Sequence, residues 1–436
     1  MHVSDTNNES QSDLIETVHA LDIIIDIPSV VEQDPSLAFH DLLSRVPGFF
    51  HSLSPSSPHH TATATISRIS GAMTNLVFLA TTQNTQHNQK VIIRVFGAGG
   101  LLFSRHQERG MFLTASRLGI GPRCLLEFGN GRVEEYIPGS PASAVTLRQP
   151  AVATAIATAL AKFHTSMLCA LPGIREESKP TQGDGDGEDP SRRCDDSGDS
   201  DALWGRLRGW LATAVDTAPD ESSLLGITKE ATMEEIDEMQ GNASRAGLHP
   251  WLAFCHNDLQ YGNVLLLLEH EEEAPTTTTT AIARLIDYEY SAVTDIGFDV
   301  SNHFCEYAAD YHHPSSEDGT VLDWRRGATE EEKIHFCTSY IHALMTHHPE
   351  DALTRRILSS SLSSGSVPPT EAAAAAAHSL VQRANVLEPL SHLKWGLWAL
   401  IQSNASDVDF DYLGYARQRL QKYLETKQQL LVTEFV

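Results

Sequence analysis

The sequence contains the segment Phe254-Cys255-His256-Asn257-Asp258-Leu259-Gln260-Tyr261-Gly262-Asn263, in which Asn263 follows Asp258 by five residues. A second segment, Leu285-Ile286-Asp287-Tyr288-Glu289-Tyr290, places an aspartate at the end of an apolar strand. The predicted strands Val264–Leu268 and Ala281–Ile286 form a hairpin that brings Asn263 and Asp287 side by side. One Asp-x4-Asn match is common by chance, but three oxygen donors placed by a strand–loop–strand unit form a specific pattern.

The chemistry that this pattern predicts is phosphoryl transfer. In protein kinases an Asp of the catalytic loop orients the attacking hydroxyl, while a later Asn and an Asp on the following hairpin hold the Mg²⁺ ions that bridge the ATP phosphates. The sequence therefore predicts Asp258 as the catalytic residue, Asn263 and Asp287 as magnesium ligands, and ATP as the cosubstrate.

Length and composition indicate a globular protein of 436 residues, of which 41% are hydrophobic. We find no apolar run of about 18 residues that suggests a membrane span, and the N-terminal sequence lacks the features of a secretory signal. The net charge of −26 argues against a nucleic-acid or anionic-membrane surface and suits a small cationic substrate. The six cysteines lack Cys-x-x-Cys spacing, which favours reduced thiols in a cytoplasmic protein.

Changes in composition predict three regions. These are a partly disordered N-terminal extension over residues 1–60, a β-rich nucleotide-binding lobe over 61–139 and a mainly helical lobe over 140–436. Disordered inserts are expected near 175–201 and 269–280, where acidic and small polar residues predominate. The helices predicted near the two ends of the chain include Leu14–Ile25, Leu37–Val46, Glu371–Leu380 and Val386–Ser403.

The predicted β-rich lobe contains three regions that are candidates for nucleotide contact. The turn from Ser70 to Asn75 is either an ordinary hairpin or a lid whose backbone N–H groups face phosphates. Arg94, on the strand Val91–Phe96, either points to solvent or touches phosphates and pairs with Glu108 of the following helical segment. A hairpin is predicted through Gly129-Asn130-Gly131. The next strand ends at Glu135, Tyr136 and Ile137. These residues are either an ordinary end of a strand or the link between the lobes, whose backbone contacts adenine.

The helical lobe contains the candidates for a second ligand. Asp299 is expected to hydrogen-bond the catalytic loop. Glu306 either lies on a solvated helix face or faces a cationic ligand. Trp395 and Trp398, three residues apart on one helix, and the later Phe410 and Tyr415 are either core residues or the walls of a cage for a quaternary ammonium group.

Together these motifs resemble the choline/ethanolamine kinase family. The resemblance runs from about Ile69 to about Tyr423 and is most specific in FCHNDLQYGN, in LIDYEYS with GFDVSNHFCEYAADY, and in WGLWALIQ with VDFDYLGYA. It implies an α+β fold like that of protein kinases, with a small β-rich N-lobe and a large, mainly helical C-lobe. The implied reaction moves the γ-phosphoryl group of Mg·ATP to the hydroxyl of choline or ethanolamine, the first step toward the activated head groups of phospholipid synthesis.

The resemblance also implies residue roles. Asp258 would be the base or hydroxyl orienter, Gln260 would assist in placing the phosphate or the metal, and Arg94 would replace the usual lysine. The nucleotide contacts would be Ser70, Gly71, Thr74, Asn75, Arg94, Glu108, Glu135 and Ile137. The amine pocket would consist of Tyr290, Glu306, Tyr311, Trp395, Trp398, Phe410 and Tyr415. The sequence departs from the family in having Gly-Ala-Met in the lid, where a second glycine is usual, and an acidic insert before Leu203.

Choline is the first expected substrate, because three methyl groups require ring faces rather than hydrogen-bond acceptors, and ethanolamine is the second. The alternatives are an ethanolamine kinase, an aminoglycoside-type phosphotransferase and a catalytically dead kinase that acts as a binding module. The expected partners are the amino alcohol and, in a homodimer, a second copy of the chain. Neither nucleic-acid binding nor stable membrane insertion is expected.

Overall fold

The computed structural model describes residues 20–21, 23–25, 35–47, 49, 64–69, 75–82, 89–97, 102–170, 201–245, 251–267, 281–313, 320–360, 368–406 and 410–431. Nearly all of both predicted inserts lies outside these ranges. The chain divides into two units, residues 1–98 with 122–136, and residues 99–121 with 137–436.

The first unit is built on a six-stranded sheet. Its elements are β1 (Ala20–Leu21), α1 (Pro35–Ser44), β2 (Ala64–Ile69), β3 (Asn75–Thr82), β4 (Lys90–Phe96), β5 (Cys124–Phe128) and β6 (Gly131–Glu135). The strand order is β1-β5-β6-β4-β3-β2. Valine and isoleucine dominate β4, as is typical of a central strand. Apolar side chains of α1 cover the sheet, and the rings of Phe39 and Phe78 lie 5.1 Å apart.

Two predictions for this unit are confirmed and one is wrong. The hairpin through Gly129-Asn130-Gly131 joins β5 to β6, and α1 overlaps the helix predicted over Leu37–Val46. The helix predicted over Leu14–Ile25 is wrong at its described residues, because Ala20–Leu21 pairs in parallel with the end of β5. The Asn130 side chain also donates to the Ile25 carbonyl (2.8 Å) and accepts from its amide (2.9 Å). The strand β5 and the Asn130 side chain thus provide hydrogen-bond partners for the backbone of this segment, in place of the hydrogen bonds of a helix.

The second unit is mainly helical. Its helices are α2 (Arg105–Arg117), α3 (Pro150–Ala170), α4 (Ala202–Thr217), α5 (Pro219–Leu224), α6 (Lys229–Arg245), α7 (Ile296–Cys305), α8 (Glu330–His347), α9 (Ala352–Ser360), α10 (Pro369–Ala405), α11 (Tyr412–Thr426) and α12 (Gln428–Leu431). Its short strands are β7 (Gly139–Pro141), β8 (Leu252–Cys255), β9 (Val264–Leu267), β10 (Ala283–Leu285), β11 (Ala292–Asp295), β12 (Ala309–Asp310) and β13 (Val321–Leu322). A sheet-based unit followed by a helical unit confirms the predicted α+β class.

Two strand pairs of the second unit hold the segment 254–263. The strands β9 and β10 are antiparallel, with Val264 opposite Leu285, as the sequence predicts. The strands β8 and β11 are also antiparallel, with Cys255 opposite Ala292. Residues 256–263 therefore form the connection between two strands that are each held by a partner.

The helix α10 corrects another prediction. The sequence predicts two helices, Glu371–Leu380 and Val386–Ser403, whereas the structure has one helix of 37 residues. No Gly or Pro separates the two predicted helices, and Arg383, between them, is held by a buried ion pair with Asp295 (2.7 Å). Tertiary contacts thus continue the helix where the apolar pattern is interrupted. It packs against α4, α7, α8 and α11.

Within the described ranges, the helical stretch Pro150–Leu168 is long and apolar enough to cross a membrane. Because 61% of it is buried inside the protein, it has the character of a core helix.

Candidate active site

The backbone of the catalytic loop is anchored by one buried carboxylate. Asp299, in the first turn of α7, accepts hydrogen bonds from the amides of His256 (2.8 Å) and Asn257 (2.7 Å). The Nε2 atom of His164, on α3, lies 3.0 Å from the same carboxylate. Burial alone would raise the pKa of Asp299, but these hydrogen bonds and His164 hold it below its ordinary value. The expectation that Asp299 hydrogen-bonds the catalytic loop is confirmed.

The cluster of His164, Cys255 and Asp299 has donor atoms within 4.8 Å of one another, as in some metal sites. Its atoms are already used inside the protein, however, because His164 faces Asp299 and the Cys255 thiol donates to the Thr294 carbonyl. Burial raises the pKa of that thiol well above its ordinary value, which disfavours the thiolate that a metal requires. We interpret the cluster as the anchor of the loop.

Asp258 and Asn263 meet directly. The Asn263 amide donates from Nδ2 to the Asp258 carboxylate (2.9 Å) and to the Asp258 carbonyl (2.8 Å). This geometry leaves the Oδ1 atom of Asn263 as the acceptor of that side chain. Gln260 caps the short 3₁₀ turn Tyr261–Asn263, since its side-chain oxygen accepts from the Gly262 amide (3.2 Å). The predicted spacing therefore closes into one compact turn.

Asp287 lies beside this turn because the β9–β10 pairing continues past the strands, with the Ile286 amide donating to the Asn263 carbonyl (3.0 Å). Both Asp287 (φ 69°) and Asn257 (φ 62°) adopt left-handed backbone conformations that non-glycine residues rarely take. Such conformations are concentrated at functional sites, where the surrounding structure imposes them. The two lie on either side of the Asp258–Asn263 contact in sequence.

The electrostatics of this turn favour a bound cation. Burial raises the pKa of the Asp258 carboxyl well above its ordinary value, and the negative charge of Asp287 raises it further, against the effect of Lys394. Carboxylate and amide oxygens are the ligands that Mg²⁺ prefers. The residues present therefore fit the predicted magnesium site.

A cluster of aromatic side chains begins at Tyr290, three residues after Asp287, and includes rings from α10 and α11. Ring centroids of Tyr290 and Trp395 are 5.4 Å apart, those of Trp395 and Trp398 5.7 Å, and those of Trp398 and Tyr415 6.2 Å. Phe410 extends the cluster, with its ring 5.6 Å from that of Tyr415. The Trp398 indole donates to the Tyr290 hydroxyl (2.8 Å). The structure thus brings together the four rings that the sequence assigns either to a cage or to the core, and it adds Tyr290, which the family resemblance assigns to the amine pocket.

Glu306 lies in the 3₁₀ turn after α7 and is 2% exposed, so of its two alternatives the solvated helix face is wrong. One of its oxygens accepts from the Arg419 guanidinium (2.7 Å), and the other accepts from the Tyr311 hydroxyl (2.7 Å). Arg419 also donates to the Tyr415 hydroxyl (3.0 Å). The carboxylate is therefore neutralised by the protein itself and serves to orient two tyrosines of the predicted pocket.

Two buried cations of this region are absent from the sequence predictions. Arg419 and Lys394 are both 0% exposed. Lys394 donates from Nζ to the Asn257 carbonyl (2.5 Å), and its ammonium lies 4.3 Å from the Trp395 ring centroid. A signal does exist for Lys394, since it is the lone charge in the apolar run from Leu393 to Ile401. For Arg419 the only signal is its i, i+4 spacing from Tyr415.

The predicted nucleotide contacts are distributed over both units. In the first unit, Asn75 begins β3, and Arg94 on β4 is buried. The Arg94 guanidinium donates to Glu134 (2.8 Å), which also accepts from Arg132 (2.8 Å). Burial alone would raise the pKa of Glu134, yet these two guanidinium groups hold it below its ordinary value. The solvent-pointing alternative for Arg94 is thus wrong.

The other nucleotide contacts remain predictions. Glu135 ends β6 and accepts from the Arg123 amide (3.1 Å). Glu108 is buried on α2 of the second unit, and Ile137 follows the last residue of the first unit. The lid residues Ser70, Gly71 and Thr74 lie outside the described residues.

A short catalytic loop ending in Asn, a following hairpin Asp, and a sheet-based unit preceding a helical one define the chain as a phosphotransferase with a protein-kinase-like fold. The family model for choline/ethanolamine kinase matches residues 66–424, and the chain belongs to this ATP-using enzyme family.

Individual relatives agree with this assignment. The chain is 32% identical over 370 residues to "Probable choline kinase 2" of Arabidopsis thaliana, with 83% of this chain and 85% of the relative covered. It is 28% identical over 373 residues to the choline/ethanolamine kinase of Homo sapiens, covering 83% and 80% respectively. The crystal structure of a choline kinase from Cryptosporidium parvum has a TM-score of 0.63 at 21% identity and covers 91% of this chain and 96% of that chain. At that identity it supports the fold alone.

Proposed function

We propose that this chain transfers the terminal phosphoryl group of ATP to the hydroxyl of choline, and to ethanolamine as a second substrate. The product with choline is phosphocholine, which enters phospholipid synthesis. The observation that carries the proposal is the position of Tyr290. It follows the predicted metal ligand Asp287 by three residues, and its ring contacts Trp395 and its hydroxyl accepts from Trp398. One segment thus joins the phosphate chemistry to a ring cluster.

The polar residues of the loop and its surroundings have distinct roles in this reaction. Asp258 orients the substrate hydroxyl and takes its proton as the oxygen attacks, because a carboxylate held at one angle by Asn263 presents its free lone pairs in a fixed direction. Asp287 and the Oδ1 atom of Asn263 would hold Mg²⁺, which when bound neutralises the phosphate charge. Gln260 keeps the turn closed through its contact with Gly262. Asp299 fixes the backbone that precedes Asp258.

The predicted nucleotide contacts complete the proposal. Arg94 meets the phosphates, and its contact with Glu134 supports this role, because a carboxylate partner holds the guanidinium in one orientation. Ser70, Gly71, Thr74 and Asn75 cover the phosphates through backbone N–H groups. The backbone from Glu135 to Ile137 meets the adenine, and Glu108 supports the phosphate-binding cation.

The character of the ring cluster favours choline over ethanolamine. A trimethylammonium group cannot donate a hydrogen bond and is held by ring faces at about 0.5–2 kcal/mol each. A primary ammonium group needs acceptors instead, and both oxygens of Glu306 are engaged by Arg419 and Tyr311. Ethanolamine remains the second substrate, because the human relative bears the name choline/ethanolamine kinase.

The assay that tests the proposal offers Mg·ATP with choline, ethanolamine or an aminoglycoside in separate reactions and records ADP release. We expect the highest kcat/KM with choline and a lower value with ethanolamine. Turnover of the aminoglycoside alone would replace the proposal with an antibiotic-type phosphotransferase. ATP binding without turnover of any acceptor would identify a binding module.

Location and assembly belong to the same proposal. A cytoplasmic location is supported by the buried thiols of Cys305 and Cys337, which no disulfide engages. We propose a homodimer and no stable membrane insertion. Sedimentation over a range of protein concentrations tests the dimer, and cell fractionation tests the location.

A further inference from the structure

The ammonium group of Lys394 lies inside the second unit beside the catalytic loop. It is carried by the central part of α10, is 0% exposed, and donates to the Asn257 carbonyl over 2.5 Å. Asn257 immediately precedes Asp258 and has a left-handed backbone (φ 62°). The residue that precedes the proposed catalytic carboxylate is therefore held at both of its backbone polar groups. Its amide donates to Asp299, and its carbonyl accepts from Lys394.

The same ammonium group contacts the ring cluster. Its distance to the ring centroid is 4.3 Å for Trp395 and 5.2 Å for Tyr290, and Phe298 and Trp210 lie at 5.7 and 5.9 Å. These distances are within the range of cation–π attraction. Lys394 is thus a direct link between the loop that carries Asp258 and two rings of the predicted amine pocket.

Burying the ammonium group of Lys394 costs free energy. Burial lowers the pKa of Lys394 to about 7, and the positive charge of Arg206 acts in the same direction, while Asp258 opposes it. Buried ionic groups are often replaceable by apolar residues of similar volume with no loss of stability. A stable fold alone therefore does not require an ammonium group here, whereas fixing a strained catalytic loop does.

We infer that Lys394 is a positioning residue for phosphoryl transfer, which holds the Asn257 carbonyl and thereby sets the Asp258 carboxylate relative to the rings that bind the amine. This inference rests on the proposed function. Lys394 itself touches neither substrate in this role. Its effect falls on the rate of the chemical step, because a small displacement of Asp258 misaligns the attacking hydroxyl.

The test compares Lys394→Met, Lys394→Arg and wild type in steady-state kinetics with choline. Lys394→Met keeps an unbranched side chain that is one atom shorter and removes its charge and its donors. We expect kcat to fall about 10- to 100-fold, the range for a misplacement near 1 Å, with the KM for choline and for ATP nearly unchanged. Lys394→Arg keeps a cation and N–H donors, and its kcat is expected to lie clearly above that of Lys394→Met.

Arg383→Met is the matched control. Arg383 is a second buried cation of α10, and its hydrogen bond to Asp295 (2.7 Å) and its ring contact to Trp251 (4.5 Å) involve residues outside the loop 256–263. This variant should lose stability and keep its kcat per folded molecule. A comparable loss of kcat in Arg383→Met would show that any buried cation of this helix matters equally, and would overturn the specific role of Lys394.

Other outcomes also decide the question. An unchanged kcat in Lys394→Met, a loss confined to the KM for choline, or equal kcat values for the Met and Arg variants would each overturn the inference. If Lys394→Met is insoluble, Lys394→Leu, which also lacks the charge and the donors, is judged by the same criteria, and insolubility of both would establish a purely structural role. Wild-type protein that turns over neither amine would instead overturn the proposed function, and the inference with it.

Discussion

The guanidinium of Arg419 donates to the carboxylate of Glu306 over 2.7 Å, and both side chains are almost completely excluded from solvent. The two residues are 113 positions apart in sequence and join the end of α7 to α11. Since the other Glu306 oxygen binds Tyr311, this ion pair fixes one side of the predicted amine pocket.

Glu306→Gln should therefore be strongly destabilising. Removing one partner leaves a buried guanidinium without its counter-charge, which costs about 3–5 kcal/mol of the free energy of unfolding. Asp237→Asn is the control, because the Arg208–Asp237 pair is largely exposed and contributes about 0–1 kcal/mol. Urea unfolding of both variants measures the difference. Equal losses of the free energy of unfolding would show that burial does not strengthen the contribution of the Glu306–Arg419 ion pair.

Asp258→Ala should abolish most of the turnover. Loss of the group that we propose to orient the hydroxyl is expected to reduce kcat by about 10²-fold or more. ATP binding should change little, as measured by equilibrium titration. The exposed Asp216→Asn on α4 serves as a control for a lost carboxylate. Near-normal turnover of Asp258→Ala would remove this residue from the mechanism.

Trp398→Ala should raise the KM for choline and leave the KM for ATP unchanged. One ring face is worth about 0.5–2 kcal/mol to a quaternary ammonium, which corresponds to a rise of about 2- to 30-fold. Trp251→Phe, at a buried tryptophan bonded to Ser360 rather than to the cluster, controls for general destabilisation. If Trp398→Ala simply unfolds, the core-packing interpretation of the two tryptophans is the correct one.

Stability should fall as the pH drops below about 6.5, because two buried histidines resist protonation. Burial lowers the pKa of His303 to about 4 and that of His392 to about 4, from an ordinary value of 6.5. Between these values the unfolded chain binds protons that the folded chain does not, so folding is fully favoured above the unfolded pKa and is weakened as pH falls toward 4. Each histidine contributes a loss of about 1.4 kcal/mol per pH unit.

The measurement is urea unfolding at about pH 7 and about pH 5. His303→Gln should weaken the pH dependence, because Gln can still donate to the Leu259 carbonyl that His303 contacts at 2.9 Å and does not titrate. The exposed His347→Gln should leave it unchanged. An identical pH slope for His303→Gln and wild type would contradict the assignment.

Much of the site is predictable from sequence because its geometry is local. Asp258 and Asn263 lie within one turn, and the apolar strands before Asp287 determine the β9–β10 pairing that brings it to Asn263. The rings at 395 and 398 share a helix face because of their spacing. The same local signals predict the hairpin at Gly129-Asn130-Gly131.

The remaining features depend on contacts between residues far apart in sequence. Lys394 meets Asn257 across 137 positions, and Arg383 meets Asp295 across 88. The hydrophobic periodicity of the sequence does not indicate which buried carbonyl or carboxylate a cation will contact. The continuity of α10 and the strand at Ala20–Leu21 could not be predicted for the same reason, because each depends on contacts with another element.

The left-handed conformations of Asn257 and Asp287 impose a trade-off on anyone who engineers this enzyme. Glycine at position 287 would adopt this backbone without the strain, which costs about 1–3 kcal/mol, but it would delete the proposed magnesium ligand. Glycine at position 257 would relieve the same strain and delete a buried side chain that donates to the Tyr290 carbonyl (3.3 Å) and accepts from the Thr294 hydroxyl (2.8 Å). Selection for heat resistance and selection for turnover should therefore act in opposite directions on codon 287, whereas at codon 257 the lost hydrogen bonds offset the relief of strain.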